Sequence, residues 1–502
     1  MTPEKTHIGD RAAPATISYG QVLLVGLAVY FLLSVILRVA VSGTADMDET
    51  EHLVKTQALL LGYGSQLPLY TWLQLIFFRL FGLNLFAVSL LKYTLLYATY
   101  VCVYFITKRT INDSLAAVCA TLSLFLIPQV VWESYRTLAN TVLATFLAAM
   151  TLLILLRLRE KPDTVNYLLL GMAAGLGMLS KYNYAIFFLA IIIAGISTPS
   201  FRRCLLSVKS ILSLCVMAAI TAPPYFWIAA NLDRATASSK KLNKLGGGTV
   251  LGDTALGFAS LLAAWIGYFW PALIVYGLLY YFVKPARRTS PDEDIHQLLK
   301  MTLITAFVIC SILVIFFKVT YFKERWMQPL LFFLPVYFMH YLSARIDQKR
   351  FRFLLVTTMI PAVLAVLIFS GGILLASKTG RPTRQSPPYK SMASRIQNDG
   401  FQGGTIITND HRIGGNFRLS FKGSSILVPG MLEVNFRRAD PVLILWNADK
   451  SKLLPEGLGH YAEELLNVAL DPERIRYVEK SLLYWEGKTM RLGYFIIEGP
   501  KN

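Results

Sequence analysis

Asp46, Asp48 and Glu49 lie within four residues of one another, directly after the first long apolar segment, and Glu51 and His52 follow at once. Carboxylates held at the edge of a bilayer are costly unless they take a proton, bind a cation or meet a charged substrate. An ionised carboxylate within hydrogen-bond reach of an attacking hydroxyl can accept its proton, which makes Asp48 the first candidate general base and Asp46 the second. Glu49 then supports that base or, with Asp48, holds a divalent cation. Oxygen ligands of this kind suit Mg²⁺ or Mn²⁺, and a single histidine is too little for zinc. A plainer reading of the same residues, a helix N-cap followed by first-turn acids, is compatible with either role.

The chemistry that such a base would serve needs cations nearby. Lys181 stands in a Ser180-Lys181-Tyr182-Asn183 break between two apolar stretches, and Lys323, Glu324 and Arg325 precede another. Arginine offers a bidentate fork to a phosphate and lysine a point charge, so Lys181, Lys323 and Arg325 are candidate phosphate ligands. Snorkelling to lipid headgroups is the competing explanation for such residues. Lys92, about a turn and a half into the second span, either reaches the same phosphate or snorkels. Glu133 and Arg136, in Trp132-Glu133-Ser134-Tyr135-Arg136, stand beside the acids as substrate contacts or else mark an interfacial aromatic belt. Asp410-His411-Arg412 reads more simply as a polar turn after a strand.

The elements that must position these groups are mostly membrane-spanning. Of 502 residues 55% are hydrophobic and 16% charged, and the mean hydropathy of +0.50 is too high for a soluble multidomain protein. Apolar runs near 19–40, 85–107, 114–130, 137–156, 165–180, 183–198, 204–228, 255–283, 300–318, 327–343 and 353–377 each approach the ~20 residues that a helix needs to cross the hydrocarbon core. About 11 spans are expected on this basis. The first has a polar stretch before it and no small-residue cleavage pattern after it, so it reads as a retained span. The segment 68–82, with Arg79 and Gly82, reads as an interfacial helix lying on the membrane. With the amino terminus cytoplasmic, the basic clusters at 108–109, 157–161, 202–203, 284–288 and 345–352 all fall on the inner side.

That register places the acidic loop 41–68, the loop 230–254 and the tail 378–502 on the outer face. Lys240, Lys241 and Lys244 followed by Gly246-Gly247-Gly248 read as a flexible lid, since a phosphate-cradling loop would need a preceding strand and a GK[ST] sequence. The net charge of +19 is largely topological charge facing anionic membrane lipids, and nucleic acid is excluded as a partner. The five cysteines fall in or beside spans and encode no disulfide framework. In the tail, strands are expected at 404–408, 425–429, 441–446 and 493–498 and helices near 389–399 and 459–469, giving a small α/β domain of roughly 120 residues.

The run DMDETEH followed by GYGSQLPLYTWLQLIFFRLFGLNLFAVSLLKY resembles the first outer loop, interfacial helix and second span of family 39-type GT-C membrane glycosyltransferases. That group includes protein O-mannosyltransferases, aminoarabinose-lipid A transferases and rhizobial galacturonosyltransferases. GLGMLSKYNYAIF and FKERWMQPLLFFLPVYF are similar to two further stretches, and the likeness spans most of 20–345. It implies a GT-C catalytic domain over 1–377, with a periplasmic domain over 378–502. Asp48 and Glu49 match the family's Asp-Glu pair, Lys181 and Arg325 its donor-phosphate cations, and Tyr182 and Asn183 follow as substrate contacts. Ser89 replaces an arginine common in relatives, with Lys92 one helical turn on, and Asn140 stands where an aspartate is common.

The resemblance implies transfer of a sugar, with inversion, from a polyprenyl-phosphate donor. The acceptor would be lipid A, lipopolysaccharide core or another envelope glycan at the outer face of a bacterial inner membrane. A protein O-mannosyltransferase is the alternative within the same chemistry. A lipid-linked sugar flippase is the alternative of another class, but its charges would line a path within the membrane, whereas these gather in loops on one face.

Overall fold

The computed structural model describes residues 18–239, 242–243, 245–282, 292–431 and 440–498. Lys240, Lys241, Lys244 and the basic cluster 284–288 lie outside them. Among the described residues seven helices are long and apolar enough to cross a membrane, or nine if two bent pairs each count as one span. The pairs are Ser114–Leu126 with Gln129–Arg136, bent by 72°, and Tyr182–Ser197 with Pro199–Leu205, bent by 113°. Pro128 and Pro199 stand at the breaks, where a proline forfeits a helical hydrogen bond.

The remaining two expected spans take other forms. The 165–180 run is the short helix Thr164–Met178. The 327–343 run is broken into Gln328–Leu331 and Leu334–Leu342, with Pro329 and Pro335 each at a helix start. Leu69–Phe81, at 13 residues, is too short to cross, in keeping with an interfacial helix.

Polar groups collect at the two ends of this bundle. At one end Arg109 pairs with Glu160 and Arg159 with Asp292, so the expected inner-face loops meet there. At the other, the acidic helix Met47–Lys55 packs against the tail and the helix Leu69–Phe81, with Lys181 within electrostatic reach of Asp48 and of Arg325, in the short 3-10 turn Glu324–Trp326.

The tail forms one five-stranded sheet of β1 (Thr405–Thr408), β2 (Ser425–Leu427), β3 (Val442–Asn447), β4 (Arg476–Leu482) and β5 (Trp485–Ile497), in the order β2-β1-β3-β5-β4. The first three strands are parallel and the hairpin of β4 and β5 is antiparallel. Four of these strands and the helices Tyr389–Asn398 and Glu456–Leu466 match the sequence expectation. The helix His411–Ser420 does not, because two glycines, Gly414 and Gly415, sit in its middle.

Those glycines are explained by packing. A side chain at Gly415 would come within 2.6 Å of the Thr50 carbonyl oxygen, so the tail helix lies directly on the acidic helix. Next to it Asn416 brackets Ala45, accepting from its N–H at 2.7 Å and donating to its carbonyl at 3.2 Å. Arg418 donates to Thr56 Oγ1 at 2.8 Å and to the Leu53 carbonyl. Gln57 makes both backbone hydrogen bonds of Ile426, at 2.6 and 2.9 Å, and Val54 is buried in the tail's own core. The acidic helix thus belongs as much to the tail as to the membrane bundle.

Gly415→Ala should therefore cost ~1–3 kcal/mol through overpacking against an immovable backbone, read as a lower thermal midpoint and faster proteolysis of the tail in detergent. Gly423→Ala, where the added carbon meets nothing within 4 Å, should leave both unchanged.

Candidate active site

The acidic helix begins with a reciprocal cap. Asp46 is the N-cap and accepts from the Met47 N–H at 2.7 Å, while Glu49 reaches back to accept from the Asp46 N–H at 2.8 Å. The same Glu49 carboxylate is gripped by Arg38, the only charged residue of the first span, at 2.5 Å from Nη2 and 3.4 Å from Nε. Arg38 also donates to the carbonyls of Ser42 and Thr44. Lys92 Nζ stands 3.8 Å from Glu49 and donates to the Arg136 carbonyl at 3.0 Å. Burial alone would raise the pKa of Glu49, but Arg38 and Lys92 outweigh it and hold the carboxyl below its ordinary value. Asp46 is likewise occupied, by Gln385 at 2.9 Å and Arg384 at 3.9 Å.

Asp48 differs in kind. Its Oδ2 accepts from the N–H groups of Leu138, at 2.8 Å, and Ala139, at 3.3 Å, at the start of the helix Ala139–Glu160. Leu138 takes a left-handed backbone, φ 66°, to aim its N–H there, a conformation of the kind that concentrates at functional sites. The second oxygen, Oδ1, takes no hydrogen bond from the described residues. Burial, then the charge of Glu51, raises the Asp48 carboxyl above its usual range, only partly offset by the N–H groups that it caps. Asp48, Lys92, Tyr70, Val88 and Ala139 line a pocket of about 10 Å³, room for a single hydroxyl-sized group.

The cation expected opposite this acid is present. Lys181 donates to Thr141 Oγ1 at 2.5 Å, in the first turn of the same helix. Burial, together with the Arg325 charge, pushes its ammonium down to about 8, while Asp48 pulls the other way. Asn183 ties the turn to the 3-10 segment by donating to the Trp326 carbonyl at 2.7 Å, which brings Arg325 to Lys181. The Asn183 Oδ1 and Asn140 Oδ1 acceptors are buried with no partner among the described residues. Asn140 donates to Gln66, which donates to Glu51, a link that an aspartate at 140 could not make.

Other expected residues fall further out. Lys323 lies over the rings of Tyr321 and Trp326. Glu324 is exposed beside Gly267 and Tyr182 is exposed. Arg136 lies over the Trp132 ring at 5.0 Å and contributes its carbonyl, not its charge, to Lys92. Glu133 is half-buried in the turn before it. Lys92 is engaged by Glu49 and the 136 carbonyl.

The residues of the expected metal pair are otherwise engaged. Both Glu49 oxygens are committed to donors, one Asp48 oxygen caps a helix, and Arg38, Lys92 and Lys181 surround them. These residues do not fit a resident Mg²⁺ or Mn²⁺, and among the described residues no group of three potential ligands can hold a metal ion. His52 is packed at 4.4 Å on the Tyr70 ring and pushed down to about 3 by burial, so it stays neutral. Arg38 was missed by sequence reasoning, although a lone charge in an apolar span was its signal.

Comparison with known proteins identifies the family. The family model for dolichyl-phosphate-mannose-protein mannosyltransferases matches residues 65–227. The chain is 30% identical to the lipopolysaccharide core galacturonosyltransferase RgtB of Rhizobium johnstonii over 94% of this chain and 97% of that one. It is 27% identical to RgtA of the same organism, over 93% and 95%. Its fold is similar to that of ArnT from Cupriavidus metallidurans bound to undecaprenyl phosphate, with a TM-score of 0.58 at 13% identity, covering 95% and 98% of the two chains. Similarity to RgtB over nearly the whole of both chains, with the match to the mannosyltransferase family model, makes this chain a member of the family 39-type GT-C membrane glycosyltransferases.

Proposed function

We propose that this glycosyltransferase moves a uronosyl residue, of the galacturonate class, from a polyprenyl-phosphate carrier to a sugar of the lipopolysaccharide core on the periplasmic side of the bacterial inner membrane. The observation that carries this reading is full-length similarity, tail included, to two enzymes named for core galacturonosyl transfer. The mannosyltransferase family match stops at residue 227 and leaves out the tail, which makes a protein acceptor the weaker reading.

In the proposed reaction Asp48 Oδ1 accepts the proton of the acceptor hydroxyl as its oxygen attacks the anomeric carbon. The bond from that carbon to the phosphate oxygen breaks on the opposite face, and polyprenyl phosphate departs with the electron pair, so configuration inverts. Lys181 and Arg325 meet the charge that develops on the leaving phosphate. The raised affinity of Asp48 for a proton makes it a stronger base than an exposed aspartate. The unpartnered oxygens of Asn183 and Asn140 are suited to accept from sugar hydroxyls.

The direct test is transfer by the purified protein in nanodiscs, given undecaprenyl phosphate galacturonate and a lipopolysaccharide core acceptor. A core product heavier by one hexuronic acid is expected. Transfer to a serine- or threonine-bearing protein in its place would contradict the proposal.

The pH dependence follows from Lys181. Above about 8 it loses its proton, so donor KM should rise on the alkaline side. In Lys181→Arg that limb should move beyond the measurable range, because guanidinium stays charged. A limb that remains near 8 in the arginine variant would assign it to another group.

A further inference from the structure

The tail carries a cavity separate from the pocket at Asp48. It occupies about 290 Å³, near the lower end of ligand pockets, which begin at about 300 Å³. Its walls are Asn409 and Asp410, directly after β1, and Asn447, Lys450 and Ser451, directly after β3, over the buried Trp446.

Its position has a topological cause. The strands β1 and β3 are parallel neighbours, but the helices that follow them pack on opposite faces of the sheet. His411–Ser420 packs with Ile406 and Leu443, and Glu456–Leu466 with Ile407 and Ile444. The chain therefore parts at the carboxyl ends of these two strands and leaves a crevice, the place where open α/β sheets take their ligands.

The lining fits one class of ligand. Asn409 and Asn447 present amides, which both donate and accept as sugar hydroxyls require. Lys450 is exposed and adds a positive charge. The one acid present does not oppose an anion, because Asp410 is neutralised by its own Arg412, at 2.7 Å from Nη2. Asp410 also begins the helix that lies on the acidic helix. The next two residues, His411 and Arg412, are within electrostatic reach of Glu51 and Asp46.

We infer that this crevice is an acceptor subsite that binds a sugar residue bearing a carboxylate or phosphate and so holds the acceptor glycan beside the active site. The assignment of a glycan acceptor rests on the function proposed above, whereas the binding of an anionic saccharide does not depend on transfer.

The test uses the full-length protein in nanodiscs and a phosphorylated core oligosaccharide released from lipopolysaccharide by mild acid, followed by calorimetry. Wild type should bind it, and a dephosphorylated, carboxyl-reduced form about tenfold more weakly, as expected for loss of a charge-assisted contact. Lys450→Ala with Asn409→Ala should show a similar loss at unchanged thermal midpoint. In the transfer assay that variant should raise acceptor KM and leave kcat and donor KM alone. Equal binding by wild type and variant, or no binding by wild type, overturns the subsite even if transfer occurs. Binding without any transfer upholds it and overturns the proposed reaction instead.

Discussion

One buried ion pair fixes everything else at this site. Arg38 ends the first span and is 2% exposed, where an unpaired guanidinium could not be kept. Glu49 answers it and at the same time closes the cap of the acidic helix. Removing one partner of such a pair strands the other, at a cost of ~3–5 kcal/mol. The helix axis is therefore locked to the span, and the direction in which Asp48 points is set before any substrate arrives. Three acids in four residues thus divide their work: Asp46 begins the helix, Glu49 anchors it, and Asp48 is left with a free oxygen.

The tail completes the lock from the other side. Gly415, Asn416, Arg418 and Ile426 of the tail meet the acidic helix and the residues that flank it, and Val54 enters the tail's core. An active site at the seam of two units suits an enzyme whose donor lies in the bilayer and whose acceptor arrives from water. In the proposed reaction the bundle brings Lys181 and Arg325 to the donor phosphate, and the tail holds the helix that carries Asp48. The left-handed Leu138 belongs to the same logic, since it turns the start of a spanning helix toward Asp48 and places Thr141 under Lys181.

Much of this was legible in the sequence because it is written in short range. The pattern Asp-x-x-Glu is a capping signature, the lysine between two apolar runs marks a turn at the membrane edge, and alternating apolar runs mark the tail strands. The partners of Glu49 and Lys92 were not legible, for a long-range reason. Each is neutralised by a partner on another helix, and a lone arginine in a span gives no hint of which acid it meets. The clamp helix at 411–420 was hidden because its glycines lower helix propensity and gain their meaning only from Thr50 across the seam. The spans at 165–180 and 327–343 were read by length, whereas the turn at 181 and the prolines at 329 and 335 decide their form.

As the proposed base, Asp48 has a chemistry separable from its structural bond. Asp48→Asn keeps an oxygen for the Leu138 and Ala139 N–H groups while removing the proton acceptor. Single-turnover transfer at saturating donor and acceptor is the measurement that isolates this. The account predicts a rate lower by ~10²–10⁴-fold with donor affinity and thermal midpoint unchanged. A wild-type rate in the asparagine variant, or a loss of rate that tracks a loss of folding, would contradict it.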